Sequence, residues 1–341
     1  MTAAFNADPV STRRGRPDTH TSGMIRRMAV AACLLFGTAS TGYTQGERTM
    51  QHEYASVNGV RLHYVRQGTG RLVMFLHGFP EFWYAWKDQL AEFGRDHLAV
   101  APDLRGFNLS DKPPALEEYR AAAIIEDIRQ LAHHLNGGRP FTLVAHDWGG
   151  AIAWAFAIRH PELLDRLVII NAPHPAVFSD LLNRDAAQQR ASQYMLFFRS
   201  PQAETALSAD HYAPLLRFFA GPRKAGRFSA ADDAAYVEAW GQPGALTGGL
   251  NYYRASRIGP PVGGVRDSAS TGVSTDDYRV RVPTLVIWGM MDDALLPQNL
   301  TGLDRYVPDL TIERINDGTH WVVHEFPDRV NRLIRDFIAR R

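Results

Sequence analysis

The sequence predicts an α/β fold in which a mostly parallel sheet, covered by helices on both faces, is interrupted by one mainly helical insertion. Three observations lead there. Short apolar runs alternate with amphipathic stretches over residues 72–170, the pattern of strands buried on both faces and joined by helical crossovers. The alternation stops after Asn171-Ala172-Pro173-His174-Pro175, and no strand-like run follows until Thr284. Within it, Ala145-His146-Asp147-Trp148-Gly149 sets one side chain between small residues two positions away on either side, which suits a tight turn from strand into helix.

The elements follow in order. Residues 52–67 give two β-rich runs around Asn58-Gly59, a pair that favours the positive φ angles of a hairpin. Strands are predicted at 72–76, 98–101, 141–145 and 167–170, with helices at 81–92, 121–135 and 149–159 between them. Residues 176–278 form the insertion, rich in aromatic residues. It ends in a Gly- and Pro-rich stretch that reads as a long loop. Strands at 282–288 and 310–315 and a closing helix at 328–339 complete the core, which therefore comprises 46–175 and 279–341.

A chain of 341 residues with 45% hydrophobic composition can bury a core of that size. The formal net charge of +1 provides no field to recruit nucleic acid or an anionic membrane, so the expected partner is a small molecule. Cys33 stands alone, which excludes an internal disulfide and a cysteine-based zinc site. There is no HExxH-type pair, carboxylate cluster or Gly-rich phosphate loop, so neither a metal nor a nucleotide cofactor is expected. Residues 1–45 read as a leader: Met24-Ile25-Arg26-Arg27 precedes an apolar stretch too short to span a bilayer, the layout of a secretory signal with cleavage after Ala39 or Ser40. The expected destination is the periplasm or the exterior. An unstructured leader on a cytoplasmic protein is the alternative.

The candidate chemistry centres on Asp147. A carboxylate at such a turn is either a nucleophile that forms an ester or a cap for the following helix. The rest of the chain favours the nucleophile, because it supplies a base and an acid in a known triad order. Asp292 lies just past the strand at 282–288, with Asp293 as competitor, and His320 lies in the loop after the next strand. The backbone N–H groups of Phe79 and Trp148 would make an oxyanion hole. His77, His146 and His174 read as buried hydrogen-bonding supports. The pocket is expected to be bordered by His77, Pro80, Trp83, Phe198 and Trp240.

The segments 77–86 (His77-Gly78-Phe79-Pro80-Glu81 onward), Asp103-Leu104-Arg105-Gly106-Phe107, His146-Asp147-Trp148-Gly149-Gly150 and Gly318-Thr319-His320-Trp321 together resemble the epoxide hydrolases of the α/β-hydrolase fold, over roughly residues 50–340. The resemblance implies that Asp147 opens an epoxide, that Asp292 and His320 form the charge-relay pair, and that Tyr194 and Tyr253 of the insertion, acting as a cap, donate hydrogen bonds to the epoxide oxygen. Tyr252 is the neighbour most easily confused with Tyr253. The aromatic insertion favours a hydrophobic substrate. Haloalkane dehalogenase is the alternative enzyme: it shares an aspartyl nucleophile followed by Trp, but Phe79 offers no side-chain donor to halide. Trp240 would have to serve instead. A non-catalytic binding protein on the same scaffold is the third reading.

Overall fold

The computed structural model describes residues 49–261 and 275–340. The leader, its Cys33 and most of the loop before Asp277 lie outside the described residues. Strands β1 (Gln51–Val57) and β2 (Val60–Gln67) form the expected hairpin, with Asn58 and Gly59 both at positive φ. The core continues as β3 (Leu72–Leu76), α1 (Lys87–Phe93), β4 (Leu98–Pro102), α2 (Ala121–Asn136), β5 (Phe141–His146), α3 (Asp147–Arg159) and β6 (Leu164–Ile170). After the insertion come β7 (Thr284–Gly289), β8 (Leu310–Ile315) and two helices. The eight strands lie in the order β1-β2-β4-β3-β5-β6-β7-β8; β1, β2 and β4 pair antiparallel and every other pairing is parallel.

Each parallel strand feeds two cores. Leu72, Met74 and Leu76 of β3 face one apolar cluster, while Val73 and Phe75 face the other. This is why these strands read as unbroken apolar runs rather than alternating ones. The chain leaves β3 outward to β4 and returns to β5 on the other side, so the carboxyl ends of β3 and β5 flank the point where strand order reverses. Crevices at such points are where open α/β sheets hold ligands.

Between β6 and β7 the insertion is helical: α4 (Pro175–Arg184), α5 (Ala186–Ala191), α6 (Tyr194–Arg199), α7 (Ala203–Leu216), α8 (Ala220–Lys224), α9 (Ala230–Gly241) and α10 (Ala245–Ala255). The closing helices are α11 (Val322–Glu325) and α12 (Pro327–Ile338). One expected helix is shorter than its pattern: residues 83–86 form a 3-10 turn, and α1 starts only at Lys87. The cause is local, since the Trp83 N–H donates to Asp103 Oδ1 at 3.0 Å and Glu81 is drawn into the interior.

Candidate active site

Asp147 follows β5 directly, with φ of +49°, a left-handed conformation that costs a non-glycine residue about 1–3 kcal/mol. The turn is possible because its neighbours lack side chains. A Cβ at Gly78 would overlap the Asp147 carboxylate, and a Cβ at Gly149 would collide with the carbonyl oxygens of Leu76 and His77 at the end of β3. Glycine at both positions lets β3, the elbow and α3 close on one another, and the Phe79 N–H then donates to Asp147 Oδ1 at 2.8 Å. The second expected donor, the Trp148 amide, makes no hydrogen bond to Asp147 among the described residues.

Asp147 Oδ2 lies 3.7 Å from His320 Nε2, beyond hydrogen-bond length, while His320 Nδ1 is 2.8 Å from Asp292 Oδ2. Asp292 is buried, and its competitor Asp293 is exposed. The Asp292 carboxylate also accepts from the N–H groups of Ala294 and Leu295 and from Asn171 Nδ2. Asn171 is fixed in turn by accepting from the Gly289 N–H at 2.9 Å. Burial alone would raise the Asp292 carboxyl, but the His320 charge and these hydrogen bonds outweigh it and hold it below the usual range. Burial likewise works to lower His320, yet the Asp292 and Asp147 carboxylates push it up to about 9. His320 is therefore cationic at neutral pH while Asp147 carries its charge.

A second buried array stands behind this one, and of its members only His146 was singled out in the sequence. Glu81 accepts from His324 Nε2 at 2.6 Å, from His146 Nδ1 at 2.9 Å and from the Tyr236 hydroxyl of α9 at 3.3 Å. The other ring nitrogen of His146 donates to the His320 carbonyl at 2.9 Å. Glu81 thus ties the loop that carries His320 to the insertion. Its burial would raise the carboxyl, but the two histidines hold it well below the usual range. A buried carboxylate with these partners is costly to break. The one available clue was spacing: His324 lies four residues after His320.

A cavity of about 440 Å³ opens above Asp147, and Trp148, Tyr194, Tyr252 and Tyr253 border it. Tyr252 donates its hydroxyl to the Arg105 carbonyl at 2.9 Å. The hydroxyls of Tyr194 and Tyr253 donate to no protein acceptor among the described residues. Both phenols are pushed well above their usual range, first by burial and then by the Asp147 charge, so both remain protonated.

The expected border of the pocket needs correction, because none of the five residues named for it lines this cavity. His77 is buried beneath the turn, donating from Nδ1 to the Gly78 carbonyl and accepting the Leu104 N–H at Nε2. Trp83 packs edge-on against His52 near the start of the core. Phe198 lies one layer back, against Phe79, Tyr194 and Tyr253. Trp240 donates its indole N–H to the Pro80 carbonyl at 2.6 Å, so these two residues join the insertion to the core. The aromatic composition that suggested a pocket wall belongs to the packing layer behind the tyrosines. His146 and His174 are supports, as expected, with His174 Nε2 donating to the Tyr278 carbonyl.

Comparison with known proteins agrees with this architecture. The alpha/beta hydrolase fold family matches residues 71–327. The chain is 36% identical to Epoxide hydrolase 4 of Mus musculus, covering 82% of this chain and 77% of the relative. It is 36% identical to Epoxide hydrolase 3 of Xenopus tropicalis, covering 92% and 82% respectively. Among solved structures, an epoxide hydrolase of Bacillus megaterium in complex with an inhibitor superposes with a TM-score of 0.75 at 36% identity, covering 84% of this chain and all of that one. The chain belongs to the α/β-hydrolase fold family and, within it, to the epoxide hydrolases.

Proposed function

We propose that the protein opens hydrophobic epoxides to vicinal diols through an ester formed on Asp147. One observation carries the reading: a carboxylate oxygen, Asp147 Oδ2, faces His320 at 3.7 Å on the floor of the cavity whose wall holds two phenols without protein acceptors. The Phe79 N–H fixes Oδ1 and leaves Oδ2 to attack a ring carbon. As the carbon–oxygen bond breaks, its electron pair moves to the ring oxygen, which accepts hydrogen bonds from Tyr194 and Tyr253 and takes a proton from one of them. The helical insertion acts as the cap that delivers both phenols.

Esterification also prepares the second half-reaction. The Asp147 charge that helped keep His320 protonated is gone, so His320 returns its proton to the phenolate and becomes a base. Asp292 and its hydrogen bonds keep the ring turned, Nε2 toward the ester. His320 then takes a proton from water as the oxygen adds to the ester carbonyl, and the oxyanion on Oδ1 is stabilised by the Phe79 N–H. Collapse expels the diol alkoxide, which takes the carboxylic acid proton and leaves a carboxylate opposite a protonated His320.

The dehalogenase alternative is weakened by the fate of the indoles. Trp240 is committed to the Pro80 carbonyl and Phe79 carries no side-chain donor, so the cavity lacks the second donor that a departing halide needs beside the Trp148 indole. A single turnover in heavy-oxygen water tests the reading. Label should enter the Asp147 carboxylate and stay out of the first diol molecule released. Label appearing in that first diol, with none in the protein, would mean direct attack by water and would remove the covalent proposal.

A further inference from the structure

Helix α9 meets the core through one polar stripe. Asp232, Tyr236 and Trp240 recur every fourth residue, which puts them on one face of the helix and spreads them over roughly 12 Å of its axis. All three are buried, and all three reach the same core segment, residues 80–87. Asp232 pairs with Lys87 and accepts from the Tyr84 hydroxyl at 3.1 Å, Tyr236 donates to Glu81, and Trp240 donates its indole N–H to the Pro80 carbonyl. A capping box between Ser229 and Asp232 fixes the start of the stripe.

The last of these contacts falls on the turn that carries the Phe79 N–H. Gly78 to Glu81 close that turn, with the Glu81 N–H donating to the Gly78 carbonyl at 3.0 Å. One side of it is held by Asp147 Oδ1, which accepts the Phe79 N–H at 2.8 Å, and the other by Trp240, which donates to the Pro80 carbonyl at 2.6 Å. The insertion encloses the Phe79 ring as well. That ring meets Phe198 and Tyr253 edge-on, and a Cβ at Gly249 of α10 would lie 2.8 Å from it.

We propose that Trp240 is a positioning residue: through the Pro80 carbonyl it keeps the Phe79 N–H on Asp147 Oδ1, and so sets how fast the ester on Asp147 is hydrolysed. The proposal rests on the covalent epoxide reading and separates its two half-reactions. In the resting site the Phe79 N–H stabilises a carboxylate whose charge drains away as the ring opens, so this bond does not favour alkylation. In hydrolysis charge builds on Oδ1, and the same bond strengthens. The Trp148 amide makes no bond to Asp147 among the described residues, so that step leans on the placement of one N–H.

The test compares Trp240→Phe, which keeps an aromatic ring and loses the indole N–H, with Asp232→Asn, which loosens the far end of the same stripe without touching Pro80. Rapid quench of the purified full chain with an epoxide, read by intact-protein mass spectrometry, times alkylation and ester hydrolysis separately. In Trp240→Phe hydrolysis should slow by about tenfold, alkylation should stay within about twofold, and the ester should accumulate during turnover. Asp232→Asn should keep both rates. Amide hydrogen exchange at Phe79, followed by nuclear magnetic resonance with no substrate present, should quicken in Trp240→Phe and not in Asp232→Asn. Ester hydrolysis at the unaltered rate in Trp240→Phe, equal slowing of both half-reactions, or the same slowing in Asp232→Asn overturns the positioning role. Quickened exchange at Phe79 in Trp240→Phe, with no ester found on Asp147 of the unaltered protein, would keep the hold on the amide and remove the covalent reading. Unchanged exchange, with an ester that forms and is hydrolysed normally, would do the reverse.

Discussion

Replacing Tyr253 by Phe should slow ring opening by about ten- to a hundredfold, and replacing Tyr194 as well should come close to stopping it. The size follows from what each phenol meets. Both hydroxyls are buried beside Asp147, both stay protonated, and neither has another protein acceptor to satisfy. When the ring opens, oxygen gains charge in an enclosed site, so the hydrogen bond lost is charge-assisted and worth about 1.5–3 kcal/mol. At 1.36 kcal/mol per decade, that is roughly one to two decades in rate. The two rings sit 6.2 Å apart, close enough for one hydroxyl to cover partly for the other, so the double change should exceed either single change. Stopped-flow fluorescence can follow alkylation, because Trp148 adjoins Asp147 and its ring lies 5.0 Å from that of Tyr253. The internal control is Tyr252→Phe, which loses only a hydrogen bond to the Arg105 carbonyl and should cost about 1 kcal/mol of stability while leaving ring opening intact. If Tyr252→Phe slows alkylation as much as Tyr253→Phe, or if the double variant alkylates at the normal rate, the assignment of the phenols is wrong.

Other consequences are equally specific. Gly78→Ala puts a methyl group into the Asp147 carboxylate, so turnover should collapse, and a crystal structure of the variant should show the elbow displaced; a fully active variant would contradict the close approach. Glu81→Gln leaves two buried histidines without their carboxylate and should cost about 3 kcal/mol or more in denaturant unfolding, whereas a change below 1 kcal/mol would mean the array is not held as described. The raised His320 pKa contributes stability that is complete below about pH 6.5 and is lost as pH rises toward 9, so unfolding free energy should fall by up to about 3 kcal/mol across that window. His320→Gln should flatten that part of the profile, and an unchanged slope would reject the pairing with Asp292 and Asp147.

Much of this architecture was legible in the chain, for physical reasons that differ between elements. Parallel strands buried on both faces have to be apolar runs, so β3, β5 and β7 declared themselves, and the elbow did so because only small residues tolerate its approach to β3. Asp147, Asp292 and His320 were legible because each sits at a strand end, where side chains converge. The pocket wall was not legible. Composition marks Phe198 and Trp240 as aromatic but cannot tell a lining ring from one packed behind it, and it was the backbone of α6 and α10 that turned Tyr194 and Tyr253 inward. Glu81 was hidden for a related reason. Its partners, His146, His324 and Tyr236, are brought to it from three distant segments, and no local pattern records that.

The central claim, an ester on Asp147 that His320 is needed to hydrolyse, is tested most directly by intact-protein mass spectrometry of His320→Gln after exposure to an epoxide that the unaltered protein turns over. The account predicts a stable adduct of one substrate mass, located on Asp147 by peptide mapping and absent from Asp147→Asn. A His320→Gln protein that is folded and inactive yet shows no adduct on Asp147 would contradict it.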